Sequence, residues 1–290
     1  IKASRTMSDK PFLAFYGHHK CATMWINRII ESACTRLGRT YDAVYDEDDF
    51  GCDLKSYIAS KKIDFLSYGN ADIEFVRELG NQRGFHVIRD PRDIAVSAYF
   101  SHLRSHSTED WPELIEYREK LNSVPKAEGL TMEIDNRKQE FRHLSTWDYG
   151  QDGILEVRFE ELVVHTYEQF LNIFDHLGIL DESDYRWTHR ARGLAVELLD
   201  FIIPSSASRL TQPLKPERLS GAEVAVTVWR NRFQARTSGR KQGQESASSH
   251  YRKGLPGDWR NHFEPEHEQL FKERYPGLLA FLGYETSDDW

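Results

Sequence analysis

The chain has 290 residues, of which 39% are hydrophobic and 29% charged, a composition typical of a folded protein and too apolar for a disordered one. Its 46 acidic residues outnumber its 38 basic ones, and the net charge of -8 argues against a protein that binds nucleic acid over its whole surface. No run approaches the roughly 20 apolar residues of a membrane-spanning helix. The three cysteines lack the spacing of a disulfide framework or a zinc site, so we expect no metal and a cytoplasmic location.

The first predicted elements are a strand and a helix joined by a short loop. Residues 1–10 precede them and are expected to be a disordered leader or a tag remnant, which leaves residues 11–290 as the folded domain. Residues 11–16 form an apolar run of strand length. In residues 23–37 the apolar positions recur at helical spacing, and Gly38 ends the pattern.

Strands and helices continue to alternate along the chain. Further strands are predicted at residues 63–68, 84–89 and 154–159, and helices at residues 73–79, from Ile94 onward, and at residues 166–177. Repeated βα units predict an α/β fold, here a single domain with a mainly parallel central sheet flanked by helices.

Two further segments have a distinct character. Residues 111–152 are charged and helical in pattern, and we expect a helical insertion that borders a substrate cleft. Residues 237–250 are rich in Gly, Ser and Gln, which favours a mobile loop.

The loop between the first strand and its helix is a candidate anion site. Parallel sheets bind ligands beyond the carboxyl ends of their strands, where helix N-termini present free N–H groups. Backbone amides of residues 21–24 can surround an anion there, with a charge from Lys20 and a hydroxyl from Thr23. The loop lacks the glycine and lysine spacing of ATPases. A plain turn with a solvated lysine is the alternative.

A second candidate phosphate site follows the strand at residues 84–89. Arg89 ends that strand and Ser97 lies in the next helix, so a guanidinium and a hydroxyl can grip one phosphate. The alternative is that Arg89 pairs with Asp90 or Asp93 in a surface network.

A third segment, residues 251–263, places two cations beside a glycine. Arg252 and Lys253 precede Gly254, and a flexible turn of this kind is suited to closing over a phosphate.

Together these segments resemble the family of sulfotransferases that use 3'-phosphoadenosine-5'-phosphosulfate (PAPS). Residues 20–25 resemble its 5'-phosphosulfate loop, residues 89–97 its 3'-phosphate motif, and residues 252–259 its C-terminal signature. Residues 157–162 resemble a strand-end pattern found between the phosphate motifs. The resemblance implies the P-loop-like sulfotransferase architecture. It also implies transfer of a sulfuryl group from PAPS to a hydroxyl or amine of a small-molecule or glycan acceptor by in-line displacement.

The resemblance also assigns residues to the donor and to its product 3'-phosphoadenosine-5'-phosphate (PAP). The implied donor-binding residues are Lys20, Cys21, Ala22, Thr23, Met24, Trp25, Arg89, Ser97, Phe159, Arg252, Lys253 and Gly254. Lys20 would also be catalytic, through contacts with the bridging and sulfuryl oxygens. Trp25 would stack on the adenine, with Phe159 near the base. The 3'-phosphate would be held by Arg89, Arg252 and Lys253, by the Ser97 hydroxyl and by the amide of Gly254.

The catalytic base is less well marked. Cytosolic members of the family hold a His on the strand before the arginine motif, and residues 65–72 contain none. Glycan-modifying relatives use a carboxylate after the loop lysine, which favours Asp48. The other candidates are the neighbouring carboxylates and the histidines near the motifs: Asp42, Asp46, Glu47, Asp49, His18, His19, His102 and His106.

Two other functions fit the same motifs. A nucleotide kinase would require a metal ion, and a non-catalytic sensor would bind the nucleotide without transferring anything.

Overall fold

The computed structural model describes residues 11–109, 111–181 and 215–290. The expected leader, residues 1–10, lies outside the described residues. In chain order the elements are β1 (Phe12–Tyr16), α1 (Thr23–Leu37), β2 (Tyr41–Val44), α2 (Leu54–Lys61), β3 (Phe65–Tyr68), α3 (Ile73–Val76), β4 (Gln82–Ile88), α4 (Pro91–Phe100), α5 (Glu113–Ser123), α6 (Lys126–Asp135), α7 (Lys138–Thr146), β5 (Ile154–Arg158), α8 (Phe159–Val164), α9 (Thr166–His176), β6 (Leu180–Asp181), β7 (Leu219–Ser220), α10 (Gly221–Arg230), α11 (Phe233–Arg236), α12 (Pro265–Arg274) and α13 (Leu278–Phe281).

The main sheet confirms the predicted α/β domain with a parallel sheet. Its five strands run in the order β2-β3-β1-β4-β5, and every neighbouring pair is parallel. From β1 the chain goes to β2 and β3 on one side and then crosses to β4 and β5 on the other. The crevice between the carboxyl ends of β1 and β4 is therefore the switch point at which such sheets bind ligands.

Helices cover both faces of the sheet because alternate strand residues point to opposite sides. In β1, Leu13 and Phe15 join the larger buried cluster, which contains the apolar faces of α1 and α9. Ala14 and Tyr16 join a second buried cluster with α2 and α3. Both faces of the strand that leads into the candidate anion loop are thus fixed by packing.

The helix ends that border the switch point follow from local sequence. Gly38 ends α1 in the left-handed conformation, as predicted. Helix α4 begins at Pro91 and not at Ile94, because the side chain of Asp90 accepts from the Arg92 amide and caps the helix one turn earlier. Phe159 starts α8 and does not end β5 as predicted.

The two segments of distinct character are placed as follows. Residues 111–152 contain α5, α6 and α7, so their helical pattern is confirmed. Residues 237–250 form turns in which the Gly243 amide donates to the Lys253 carbonyl at 2.9 Å and Arg240 to the carbonyl of Gln244 at 2.7 Å. The mobility of this segment stays a prediction. None of the helices in the described ranges combines the length and the apolarity needed to cross a bilayer.

Candidate active site

A cavity of about 1720 Å³ opens at the carboxyl edge of the sheet. Its wall includes a residue within three positions after each of the five strands: His19, Tyr45, Gly69, Arg89 and Phe159. Of the residues predicted to bind the donor or act in catalysis, all except Cys21 line this cavity. Folding thus brings together motifs from both ends of the chain.

The loop after β1 has the backbone conformation of an anion-binding nest. Lys20 and Ala22 have φ of 65° and 64°, in the left-handed region that non-glycine residues rarely adopt. The Cys21 amide donates to the His18 carbonyl at 3.0 Å, which closes the turn. The amides of Ala22, Thr23 and Met24 find no acceptor in the described part of the chain, and they lie at the N-terminus of α1. Free amides at a helix N-terminus suit an anion.

Cys21 lies beneath this loop rather than in the cavity. Its side chain is fully buried in the larger core cluster. Burial raises the pKa of the thiol to about 12, so it stays protonated at neutral pH. Its amide is used in the turn, so of the predicted loop amides only those of Ala22, Thr23 and Met24 have no acceptor among the described residues.

Lys20 is the one predicted catalytic residue on the loop. Its Nζ donates to Ser101 Oγ at 2.7 Å. Desolvation, followed by the nearby guanidinium groups of Arg89 and Arg137, lowers its pKa to about 7. An anion bound beside the ammonium group would reverse this shift, because an opposite charge favours the charged form.

Arg89 faces the cavity and also braces the loop. It donates to the Lys20 carbonyl at 2.9 Å, and its guanidinium lies 4.4 Å from the Phe159 ring centroid. Its Nε is buried and has no hydrogen-bond partner in the described ranges. Ser97 lines the same cavity from the second turn of α4. Both side chains thus retain donors for a ligand.

The surface-network alternative for Arg89 holds only in part. Asp93 Oδ2 lies 3.9 Å from Arg89, but the Asp93 carboxylate is buried and accepts from the Gly257 and Trp259 amides at 2.6 and 2.8 Å. Asp90 is engaged by Arg92 at 2.8 Å. Both acids mainly hold other groups and leave Arg89 to the cavity.

The C-terminal segment contributes two more cations to the cavity wall. Arg252 and Lys253 both donate to the buried Asp258 carboxylate, and Arg252 also pairs with Glu245 at 2.8 Å. Burial would raise the pKa of Asp258, but hydrogen bonds from His262 and from these cations outweigh it and hold the pKa well below the ordinary value. Asp258 therefore stays ionised and fixes the direction of both cations.

Gly254 follows these cations at a position where only glycine fits. Its φ is 71°, and an added Cβ would lie 2.6 Å from ring atoms of Phe233. The glycine lets the chain pass close to that aromatic ring. Phe233 also lines the cavity.

The predicted adenine-stacking residue, Trp25, is half-buried on α1 and lines the cavity. Its Nε1 donates to the Asn231 carbonyl at 2.9 Å, and its ring meets the edge of Phe170 at 6.1 Å. One side of the indole is thus used in packing, while the residue still contributes to the cavity wall.

The carboxylate candidates for the base fall into two groups. Asp46, Glu47, Asp48 and Asp49 line the cavity in an exposed turn. The Asp48 amide donates to Asp46, and its own carboxylate accepts no hydrogen bond from the described residues. Asp42 lies outside the cavity wall and pairs with Lys61 at 2.9 Å.

The histidine candidates also divide. His19 and His106 line the cavity, whereas His18 and His102 are buried behind it. His18 Nε2 lies 2.8 Å from His86 Nε2, and His86 Nδ1 lies 2.7 Å from the Glu156 carboxyl. His18 and His86 are buried and Glu156 is half-buried, so the three side chains run from the loop toward the surface.

Several cavity residues were not predicted from the sequence. They are Asn70, Trp111, Gln139, Glu140, His143, Val228, Trp229, Phe233, His250 and Tyr251. His250 and Tyr251 adjoin the C-terminal motif, and that adjacency was an available signal. Trp111, Gln139, Glu140 and His143 belong to residues 111–152, the segment expected to border a substrate cleft, and the remaining residues carry no motif.

Comparison with known proteins bears on the fold. No protein-family model matches the chain, and neither does any curated protein sequence. Among solved structures, it is similar to mouse sulfotransferase SULT7A1 complexed with PAP, with 18% identity, a TM-score of 0.54, and coverage of 95% of this chain and 88% of that chain. It also matches retinol dehydratase in complex with androsterone and the inactive cofactor PAP, with 13% identity, a TM-score of 0.47, and coverage of 94% of this chain and 82% of that chain. The likeness to the mouse enzyme spans nearly the whole chain, and we conclude that this protein has the fold of the PAPS-dependent sulfotransferases.

Proposed function

We propose that the protein is a sulfotransferase that moves the sulfuryl group of PAPS to a hydroxyl or amine. One observation carries this proposal: a single cavity has two sets of anion-binding groups. The free amides after β1 with Lys20 form one set, and Arg89, Ser97 and the Arg252–Gly254 segment form the other. Two such sets suit a nucleotide with charged groups on both its 5' and its 3' position, and a 5'-nucleotide alone would leave the second set unused.

The proposed reaction is an in-line displacement at sulfur. The acceptor oxygen or nitrogen attacks the sulfur, the bond from sulfur to the 5'-phosphate oxygen breaks, and PAP leaves. Lys20 and the loop amides are placed to neutralise the charge that builds up on the bridging oxygen. Their effect is therefore expected mainly in the transition state.

The acceptor is proposed to be a small molecule or a glycan. The cavity volume of about 1720 Å³ exceeds the roughly 300–1,000 Å³ of common ligand pockets, so a nucleotide leaves room for a second ligand. Asp48 is the carboxylate candidate for the base, beside the histidine candidates His19 and His106 that also line the cavity. A cytoplasmic location is also proposed, because Cys21, Cys34 and Cys52 are free thiols in the fold.

Titration calorimetry with PAP and with adenosine-5'-phosphate tests the donor site. We expect wild-type protein to prefer PAP, and Arg89→Ala to weaken PAP binding by about ten- to a hundredfold, the loss expected for charged hydrogen bonds. The same change should leave adenosine-5'-phosphate binding nearly unaltered. Arg83→Ala, at an exposed position of the same strand, is the matched control.

Three results would count against the proposal. Equal affinity of the wild type for both nucleotides would remove the role of the 3'-phosphate set, and binding that requires Mg²⁺ would favour a nucleotide kinase. Tight PAP binding without transfer to any acceptor would favour a sensor.

A further inference from the structure

Three histidines and a tryptophan pack together beside Lys20. The ring centroids of His19 and His102 are 5.3 Å apart, and each lies 5.7 Å from the ring of His106. Trp111 covers His102 and His106 at 5.1 and 5.6 Å. The hydrogen-bond partner of each ring determines which of its nitrogens carries the proton, so the three histidines are not chemically equivalent.

One ring nitrogen of His106, a residue of the cavity wall, has a free lone pair. Its Nδ1 lies 2.8 Å from the Ser107 carbonyl oxygen. Because a carbonyl oxygen only accepts, Nδ1 must carry the proton. In the neutral ring, Nε2 is then unprotonated, and no group in the described part of the chain donates to it. His106 lines the cavity, so this nitrogen can accept a proton from a bound acceptor.

His19 is fixed in the opposite tautomer. Its Nδ1 lies 3.0 Å from the guanidinium nitrogen NH1 of Arg137. A guanidinium only donates, so Nδ1 of His19 is an acceptor and the neutral ring carries its proton on Nε2. His19 also lines the cavity, where Nε2–H can donate a hydrogen bond but cannot take a proton.

His102 packs against the rings of His19 and His106 on the side away from the cavity. It is fully buried and its Nδ1 lies 3.1 Å from Glu133, a buried carboxylate that also pairs with Arg137 at 3.0 Å. Arg137 thereby connects Glu133 to His19. His102 does not reach the cavity wall and so acts on the other two rings through packing.

Burial and the nearby cations favour the neutral form of His106. Desolvation, followed by nearby cations, lowers its pKa, although the hydrogen bond to Ser107 works against this shift. The titratable and charged groups that face it are Lys20, Arg118, Arg137, His19, His102 and His250. A neutral imidazole at pH 7 has the protonation state that a base requires.

We propose that, within the sulfotransferase function proposed above, His106 is the general base and His19 a hydrogen-bond donor to the sulfuryl group. The acceptor O–H or N–H proton moves to His106 Nε2, and its bonding electrons form the new bond to sulfur. The electrons of the broken sulfur–oxygen bond remain on the 5'-phosphate of PAP. The imidazolium then returns its proton to water.

Turnover of the intact enzyme tests this assignment with water as the acceptor. The probe is sulfate release from ³⁵S-labelled PAPS at excess enzyme. We expect His106→Gln to slow release by about a hundredfold or more, the usual contribution of a positioned base. PAP affinity should stay within about twofold, since a base deletion mainly affects the transition state. The surface residue His176 provides the control, and His176→Gln should match wild type.

Substitutions of His19 separate a donor from a base. Glutamine keeps an N–H donor and leucine does not, so His19→Gln should lose less turnover than His19→Leu. If His19→Gln reduced turnover as much as His106→Gln, or if His106→Gln kept full turnover with normal PAP binding, the assignment would be overturned.

Nitrogen NMR of ¹⁵N-histidine-labelled protein identifies the tautomers of His106 and His19 and does not depend on catalytic activity. We expect the Nδ1–H form for His106 and the Nε2–H form for His19 at pH 7.5, with peaks assigned from the two glutamine variants. A charged His106 or the Nε2–H form would contradict the proposal. Failure of the wild type to bind PAP would instead contradict the proposed function, so the two failures can be told apart.

Discussion

At the scale of single residues, the backbone and the side chain of Lys20 have separate roles. The left-handed backbone at this residue shapes the turn whose amides face the cavity, while Nζ bonds to Ser101. A change of side chain should therefore spare the loop conformation and remove only the charge.

We expect Lys20→Met to lower turnover by about a hundred- to a thousandfold, the loss typical of one donor that stabilises a transition-state anion. PAP affinity should fall by less than about fivefold, because the amides and the 3'-phosphate groups remain. Turnover and calorimetry of the same preparation measure the two effects. Lys62→Met is the matched control, since Lys62 is an exposed lysine that also has a positive φ, of 54°. A Lys20→Met variant with unchanged turnover would contradict the catalytic role.

At the scale of elements, one buried carboxylate joins α4 to the C-terminal segment. Asp93 accepts from the amides of Gly257 and Trp259. Next to it, the guanidinium of Arg92 lies between the rings of Trp259 and Trp290, at 3.9 and 4.5 Å. The segment that carries Arg252 and Lys253 is thus anchored on the helix that carries Ser97.

We expect Asp93→Asn to reduce the free energy of unfolding by about 1–3 kcal/mol, because an amide accepts through one oxygen only and leaves a buried N–H unpaired. PAP affinity should fall as well, since the anchored segment carries two cations. Urea unfolding and calorimetry check both effects. Asp135→Asn breaks an exposed pair with Arg274 and should cost less than about 1 kcal/mol. Equal effects of the two variants would show that Asp93 is not the anchor.

The elements that form by local rules were predictable from the sequence. Strand β1 and helix α1 have clear periodicity and a terminating Gly38, and their bounds were found to within a residue. Strand β2 was missed because it has four residues of which only Val44 is fully buried, so its pairing with β3 provides the stability that its sequence lacks.

The candidate site was predictable where motifs occur and not elsewhere. Two of the three predicted phosphate-binding segments follow strands β1 and β4, and the fold brings all three to one cavity. The histidine pair with opposite tautomers depends on Arg137 and on Ser107, and neither residue carries a sequence signal for that role. Such contacts arise only from tertiary packing.

At the scale of the whole molecule, buried histidines determine the response to acid. Burial lowers the pKa of His86 to about 3, and burial, with smaller charge effects, lowers those of His102 and His250 to about 4. The pKa values of His18 and His19 are also well below 6.5, first because of burial. Below pH 6.5 the unfolded chain therefore binds protons that the folded chain does not.

We expect the free energy of unfolding to fall as the pH drops from 6.5 to 4.5, by about 1.4 kcal/mol per pH unit for each net proton. Glu156 works in the opposite direction: burial raises its pKa to about 8, so its contribution to stability decreases as the pH rises from about 4.5 to 8. Urea unfolding across pH 4.5–8 measures the net slope. Glu156→Gln should gain stability relative to wild type as the pH rises. A flat profile below pH 6.5 would contradict the histidine argument.

The anchoring of the C-terminal segment on α4 has a consequence for how the protein is made. A ribosome releases the sheet before it releases the residues that complete the cavity, because Lys20 and Arg89 precede the α4 to α9 region while Arg252 follows it. On a nascent chain that ends before Arg252, Asp93 lacks both of its amide partners, and the proposed site for the 3'-phosphate lacks the Arg252–Gly254 segment. A nucleotide bound at the proposed donor site would therefore stabilise only a chain that includes this segment, by about 2.7 kcal/mol at a hundredfold excess over its dissociation constant. Binding at the proposed donor site would then favour chains in which the Arg252–Gly254 segment is already packed on α4.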